Sequence, residues 1–178
     1  MQQNHTKSTS NLTMDIAVTG LMAALVFTGT YFFKIPSTFG YTHLGDCMII
    51  LTVCLFGTRR GMVAGAIGAG LADLIGGYPV WVLPTMCLKA LWALIVGLFM
   101  YKLFPNHKYS WLVGAIVGGI VHTIGYTLVK IPLYGMTLAL AELFTTGCQS
   151  AAGVVLGGVA YVALSRSSAV RVLRAKFI

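Results

Sequence analysis

HLGDCMIILTVCLFGTRRGMVAGAIGAGLADLIGGYPVWVLPTMCLKALWALIVG, His43–Gly97, sets the fold. Two apolar runs, Asp46–Gly57 and Gly61–Gly76, are separated only by Thr58-Arg59-Arg60, and a third begins at Pro84. The pattern predicts two short helices joined by a tight turn, then a full-length helix. Each run also carries a charge: Asp46, Asp73 and Lys89. In hydrocarbon an ionised side chain costs roughly 2.5–3.5 kcal/mol on insertion scales, so such groups face a cavity, a partner charge or a substrate.

Outward from this stretch the composition agrees. Hydrophobic residues make up 57% of the 178, charged residues 9%, and mean hydropathy is +0.85. A soluble domain is about one quarter charged, so this chain lacks the surface to stay dissolved. Net charge is +8. The basic residues flank apolar runs instead of forming a stripe, which reads as membrane topology and not as a nucleic-acid face. The remaining runs are Met14–Phe33, Ser110–Val129 and Gly135–Leu164, and the Pro84 run ends at Tyr101. The expected fold is therefore an all-α integral membrane protein with six transmembrane helices over residues 14–165. Residues 1–13 form a polar tail and 166–178 a basic one.

With the N-terminus in the cytoplasm, Lys7, Arg59, Arg60, Lys102, Lys108, Arg166, Arg171, Arg174 and Lys176 face inward, whereas Lys34 and Lys130 face outward. This bias supports both termini inside. The first run is longer than a signal-peptide core and more spans follow it. The last run exceeds one span, so its first turns are expected to line a cavity or lie at the outer interface.

Gly is abundant, at 21 residues. Gly61/Gly65, Ala66/Gly70, Gly114/Gly118 and Gly153/Gly157 repeat the small-x3-small spacing that lets helices approach closely in lipid. On the first helix, Ala17, Gly20 and Ala24 share one face. That face either packs within the chain or receives a helix of another subunit. Cys47, Cys54, Cys87 and Cys148 form no CxxC pair and read as packing residues.

Rise per residue places the polar groups at one height, toward the outside: Asp46, Asp73, Lys89, His122 and Tyr126, then Glu142 and Gln149. Phe39, Tyr41 and His43 lie in the first outer loop, and Tyr78 and Trp81 in the second. These aromatics fit an interfacial belt, or a lid and walls for a flat ring. Convergent polar groups in an apolar hollow are the usual form of a small-molecule site. Bland readings stand beside this one: Asp46 as a helix cap, Asp73 paired with Lys89, His122 as a packing residue. No G-x4-GK[ST] loop or HExxH pair is present, so no catalytic or metal residue is assigned. His43 and Cys47 lack a complete ligand set. Ser150 or Cys148 with His122 has no G-x-S-x-G support.

The LGD opening, the G-TRRG turn, the GAIGAGLADLIGGYP run and Lys89 resemble the substrate-capture S component of an energy-coupling factor (ECF) vitamin transporter, most of all the hydroxymethylpyrimidine or pyridoxine members. Riboflavin and queuosine-type members share much of this pattern. The resemblance implies a multi-pass protein of a prokaryotic cytoplasmic membrane that captures a vitamin. It would then dock on a transmembrane scaffold subunit and two ATPase subunits. ATP is used by those subunits, so no cofactor is expected in this chain. The family's A-x3-A docking motif on helix 1 corresponds to Gly20-Leu-Met-Ala-Ala24. Cobalt and nickel members carry His at the second residue, where Gln2 stands here. Expected ligand contacts are Lys89, Glu142 and His122 to ring substituents. Tyr41, Tyr78, Trp81 and Tyr126 would form the walls, and the Lys34–Thr42 loop would close over them. The rival classes are a self-sufficient secondary transporter and an intramembrane enzyme.

Overall fold

A computed structural model describes residues 2–37 and 40–178, with side chains described for 12–35, 42–168 and 170–178. Eight helices and one hairpin follow in chain order: α1 Gln2–Tyr31, β1 Lys34–Ser37, β2 Gly40–His43, α2 Asp46–Phe56, α3 Thr58–Ile75, α4 Val82–Leu98, α5 Ser110–Tyr134, α6 Met136–Ala141, α7 Leu143–Ser165 and α8 Ser168–Arg174. A 3-10 turn at Pro79–Trp81 leads into α4, and a π turn at Phe99–Leu103 ends it.

Among the described residues four segments are long and apolar enough to cross a bilayer: Leu12–Tyr31, Pro79–Leu103, Ser110–Tyr134 and Met136–Ser165. The α2–α3 pair is different. Gly57, at φ 92°, makes the one-residue turn between them, a conformation that glycine adopts without a Cβ clash. The turn thus falls one residue before the Thr58-Arg59-Arg60 triplet, which already starts α3. Gly61 packs on Val53 and Gly65 on Ile49, so α2 and α3 run antiparallel.

The other small-residue pairs pack in the same way. Gly70 meets Met86, joining α3 to α4, and Gly114 and Gly118 meet Val96 and Trp92, joining α5 to α4. Gly153 and Gly157 receive Asp46 and Ile50, which sets α7 beside α2. Each contact is one that a Cβ would crowd, so glycine here fixes helix spacing. Val26, Ile49, Ile50, Val53, Cys54, Trp92 and Val96 form the apolar core. Val170, Leu173 and Phe177 cover a second cluster of Leu51, Leu55 and Phe56.

The all-α expectation holds, and the structure adds detail to the layout. One short hairpin interrupts the helices: Lys34–Ser37 and Gly40–His43 pair antiparallel, Lys34 opposite His43. Ile35, Tyr41 and Thr42 suit a strand, and Pro36 is tolerated because a two-stranded ribbon has only edges. Residues 2–13 continue α1 because no Gly or Pro interrupts them before Gly20. The last run is two helices, broken at Glu142, and the basic tail contains α8.

Candidate functional site

The polar groups gather at the hairpin end of the bundle. The cavity there has a volume of about 60 Å³ and is walled by α3, α4, α5, α7 and the hairpin. α3 contributes Asp73; Tyr78 and Trp81 come from the turn before α4, and Thr85 from α4 itself. α5 contributes His122, Tyr126 and Lys130, and Thr42 and His43 come from β2. Glu142 sits at the α6–α7 break, with Thr145, Thr146 and Gln149 on α7.

Beneath it lies a sealed ionic floor. Lys89 Nζ is 2.6 Å from Asp46 Oδ1, and both side chains are fully buried. Gln149 Nε2 donates to the second oxygen, Asp46 Oδ2, at 2.7 Å. Lys89 Nζ also lies 2.7 Å from His122 Nε2. An ammonium has only donors, so Nε2 is the acceptor and the imidazole proton sits on Nδ1. That proton points at Ser150 Oγ, 2.9 Å away, and Ser150 donates onward to the Thr146 carbonyl at 3.1 Å. The Lys89 ammonium also lies 5.4 Å from the Tyr126 ring centre and 5.8 Å from that of Trp92, within cation–π range.

A second ion pair stands on the wall. Lys130 Nζ is 2.7 Å from Glu142 Oε2 and donates to Thr146 Oγ1 at 3.1 Å. The aromatic wall is Trp81 stacked on Tyr126, ring centres 5.6 Å apart, with His122 4.7 Å from Tyr126. Trp81 Nε1 donates to Tyr134 and Tyr126 donates to Thr85 Oγ1 at 2.8 Å. These bonds hold the rings upright.

His43 closes the hairpin side. The Gly45 N–H donates to its Nδ1 at 3.2 Å, and its Nε2 lies 3.3 Å from Gln149 Nε2. A neutral imidazole accepts at one nitrogen only, so it cannot serve both donors. Burial pushes its pKa down to about 4; Asp46 pulls it up and Lys89 adds to the lowering. His43 is therefore neutral at pH 7.

The sequence-predicted residues thus divide. His43, Tyr78, Trp81, His122, Tyr126, Glu142 and Gln149 line the cavity. Asp46 and Lys89 do not; they are one layer below, paired with each other. Lys89 accordingly pairs with Asp46 and not with Asp73, because α2 begins at the level of Lys89 while Asp73 is at the far end of α3. Phe39 and the side chain of Tyr41 lie outside the described residues. Thr42, Asp73, Thr85, Lys130, Thr145 and Thr146 also line the cavity, and the sequence pattern does not assign them there as ligand contacts. Asp73 reads from sequence equally well as a structural partner. Lys130 looks like a flanking charge at the end of a run, and a helical threonine commonly bonds its own backbone.

Ser150 and His122 are in hydrogen-bond contact, but the polarity is wrong for a nucleophile and base. His122 gives its proton to Ser150 while Lys89 occupies the nitrogen that would be oriented by a carboxylate. Cys47 donates its thiol to the Leu44 carbonyl. Among the described residues no group of three His, Cys, Asp or Glu is placed to hold a metal.

An aromatic-walled hollow with a few convergent polar groups at one end of a bundle has the usual form of a small-molecule site. The chain belongs to the family of S components of ECF-type riboflavin transporters, which matches residues 10–166. It is also similar to a Pyrococcus woesei protein described as "Uncharacterized protein in gap 3'region", with 42% identity over 124 residues, 70% of this chain and 82% of that protein. Family membership makes the chain a membrane-embedded, substrate-binding subunit of vitamin uptake.

Proposed function

We propose that the chain captures a single-ring, water-soluble vitamin or precursor from outside the cell, with hydroxymethylpyrimidine or pyridoxine the best fit. The observation that carries this is the size and lining of the hollow. A cavity that holds one benzene measures about 150 Å³; this one, at about 60 Å³, must widen even for one ring. A pyrimidine or pyridine against Trp81 and Tyr126 needs the least widening. A tricyclic flavin needs far more. The family's description favours riboflavin as the second reading.

The hairpin is the wall that yields. It is a two-stranded ribbon set among helices that each pack on several neighbours, and His43, through Gln149, links it to the ionic floor. The topology that serves this role has six spans, with α2 and α3 as two of them and α6–α7 as the last. Both termini and the Gly57 turn lie in the cytoplasm, where Arg59, Arg60 and the α8 arginines are concentrated. The hairpin end then faces outward.

Docking on the scaffold subunit is assigned to α1. Ala17, Gly20 and Ala24 are all exposed, and a Cβ on Gly20 would meet nothing within 4 Å, in contrast to the crowded glycines inside the bundle. Two ATPase subunits supply the energy. A self-sufficient secondary transporter would instead move substrate in vesicles lacking those subunits.

Mass spectrometry of small molecules co-purifying with the detergent-solubilised protein tests the ligand. A single-ring vitamin is the expected result, and riboflavin in its place overturns the assignment. Gly20→Trp should abolish uptake in cells expressing the full transporter while leaving ligand affinity within about twofold. Loss of ligand binding would show that the α1 face serves the fold and not a partner.

A further inference from the structure

Most nitrogen donors around the cavity are already engaged. Trp81 Nε1 is bonded to Tyr134, His122 Nδ1 to Ser150, Gln149 Nε2 to Asp46, and Lys130 Nζ to Glu142 and Thr146. His43 Nε2 is turned to Gln149. What remains on the lining is mostly able to accept. Gln149 Oε1 receives no hydrogen bond from any described residue, the hydroxyls of Thr42, Thr85 and Thr145 accept as readily as they donate, and carboxylates outnumber ammonium groups on the wall.

One residue sets this polarity. Asp46 is acceptor-only and its two oxygens face different helices: Oδ1 holds Lys89 and Oδ2 holds the Gln149 amide nitrogen. With its nitrogen drawn to the floor, the Gln149 amide has its carbonyl left for the ligand. Through Lys89, the same carboxylate also fixes the His122 tautomer, so that His122 presents a ring and no polar atom to the cavity.

We infer that Asp46, though it does not touch the ligand, is the positioning residue that makes the pocket an acceptor of hydrogen bonds, and that the ligand is selected for an exocyclic amino group aimed at Gln149 Oε1. This rests on the capture of a single-ring heterocycle proposed above. A ligand carrying a ring carbonyl at that position meets carbonyl against carbonyl, and a phosphate ester meets a wall that already holds an excess of carboxylates. The free amino heterocycle is preferred to both.

Asp46→Asn predicts a change of preference and not merely a loss. The substituted amide would keep its oxygen on Lys89 and present an NH2 to Gln149. The Gln149 amide then turns over and shows its own NH2 to the ligand. A ring carbonyl becomes acceptable and an amino group does not.

The test is quenching of tryptophan fluorescence in the purified full chain, with 4-amino-5-hydroxymethyl-2-methylpyrimidine and its 4-oxo analogue as probes. Wild type should bind the amino probe about tenfold or more tighter. In Asp46→Asn the ratio should fall to about one or reverse. Because that variant leaves Lys89 buried without its anion, Gln149→Leu, which removes the accepting carbonyl and keeps the Lys89–Asp46 pair, is measured beside it and should also bring the ratio to about one. A wild-type ratio below tenfold, or an unchanged ratio in either folded variant, overturns the inference while leaving vitamin capture intact. Failure of wild type to bind either probe overturns this inference, and failure to bind pyridoxine as well overturns the single-ring reading itself.

Discussion

Two lysine–carboxylate pairs lie within one cavity's reach, and they differ in almost everything but chemistry. Lys89–Asp46 is shut away from solvent, and both carboxylate oxygens and the ammonium are answered by neighbours. Lys130–Glu142 has side chains about a tenth exposed, opens on the cavity, and joins a helix to a helix break. The first has no way to exchange partners without leaving a charge in oil. The second borders the cavity, and on the proposed reading it is the pair that meets a ligand. The two pairs of this chain then divide into framework and reader, separated by depth beneath the cavity surface.

The sharpest way to break this contrast is to remove one member of the floor pair. Lys89→Met or Asp46→Asn alone should cost about 3–5 kcal/mol, since the remaining ion is stranded. The double change should recover most of that loss. Denaturation in detergent measures both; a double variant that loses the sum of the two single losses would mean that the two charges are not coupled.

Next in size is a pH effect on the residue between the two layers. His43 binds a proton near pH 6.5 when unfolded and near 4 when folded. Between those values the unfolded chain holds more protons, so stability rises with pH and is fully present above about 6.5. On descent to pH 4 roughly 3 kcal/mol is lost. His43→Asn should flatten that slope, and a slope that persists unchanged assigns it to another group.

Glu142→Gln sharpens the contrast from the other side. Its cost to stability should be about 1–2 kcal/mol, below that of either floor variant, while ligand affinity drops by about tenfold in the same fluorescence titration. A larger effect on folding than on binding would make this pair framework too. The smallest effect belongs to a third pair, Arg60–Asp15, whose Asp15 side chain is 42% exposed. Asp15→Asn there should cost less than about 1 kcal/mol in a melting curve.

The helices are largely legible in the sequence. Asp46–Gly57 reads as a short run and is α2 to within one residue, because apolar runs and charged breaks are local signals. Which polar groups line the hollow is half legible: depth follows from rise per residue, which finds His122, Glu142 and Gln149. Partnership does not. Asp46 and Lys89 are 43 positions apart, and nothing local says that α2 begins level with the middle of α4. Lys130 reads as a mere flanking charge for a related reason: the α6 break, which brings Glu142 back to it, leaves only a faint trace in the sequence. The hairpin is hidden because four-residue strands with a proline give no periodic signal.

α2 itself explains why there is a hollow at all. Its 11 residues rise only about 16 Å, roughly half of a 30 Å hydrocarbon layer. Neighbouring helices continue upward past Asp46, so the column above it is vacant, and the hairpin roofs that column. The vestibule is in this sense a missing half-helix: its depth was fixed by where one segment starts, and adding two turns ahead of Asp46 would plug it while displacing only Thr42 and His43 among the lining residues.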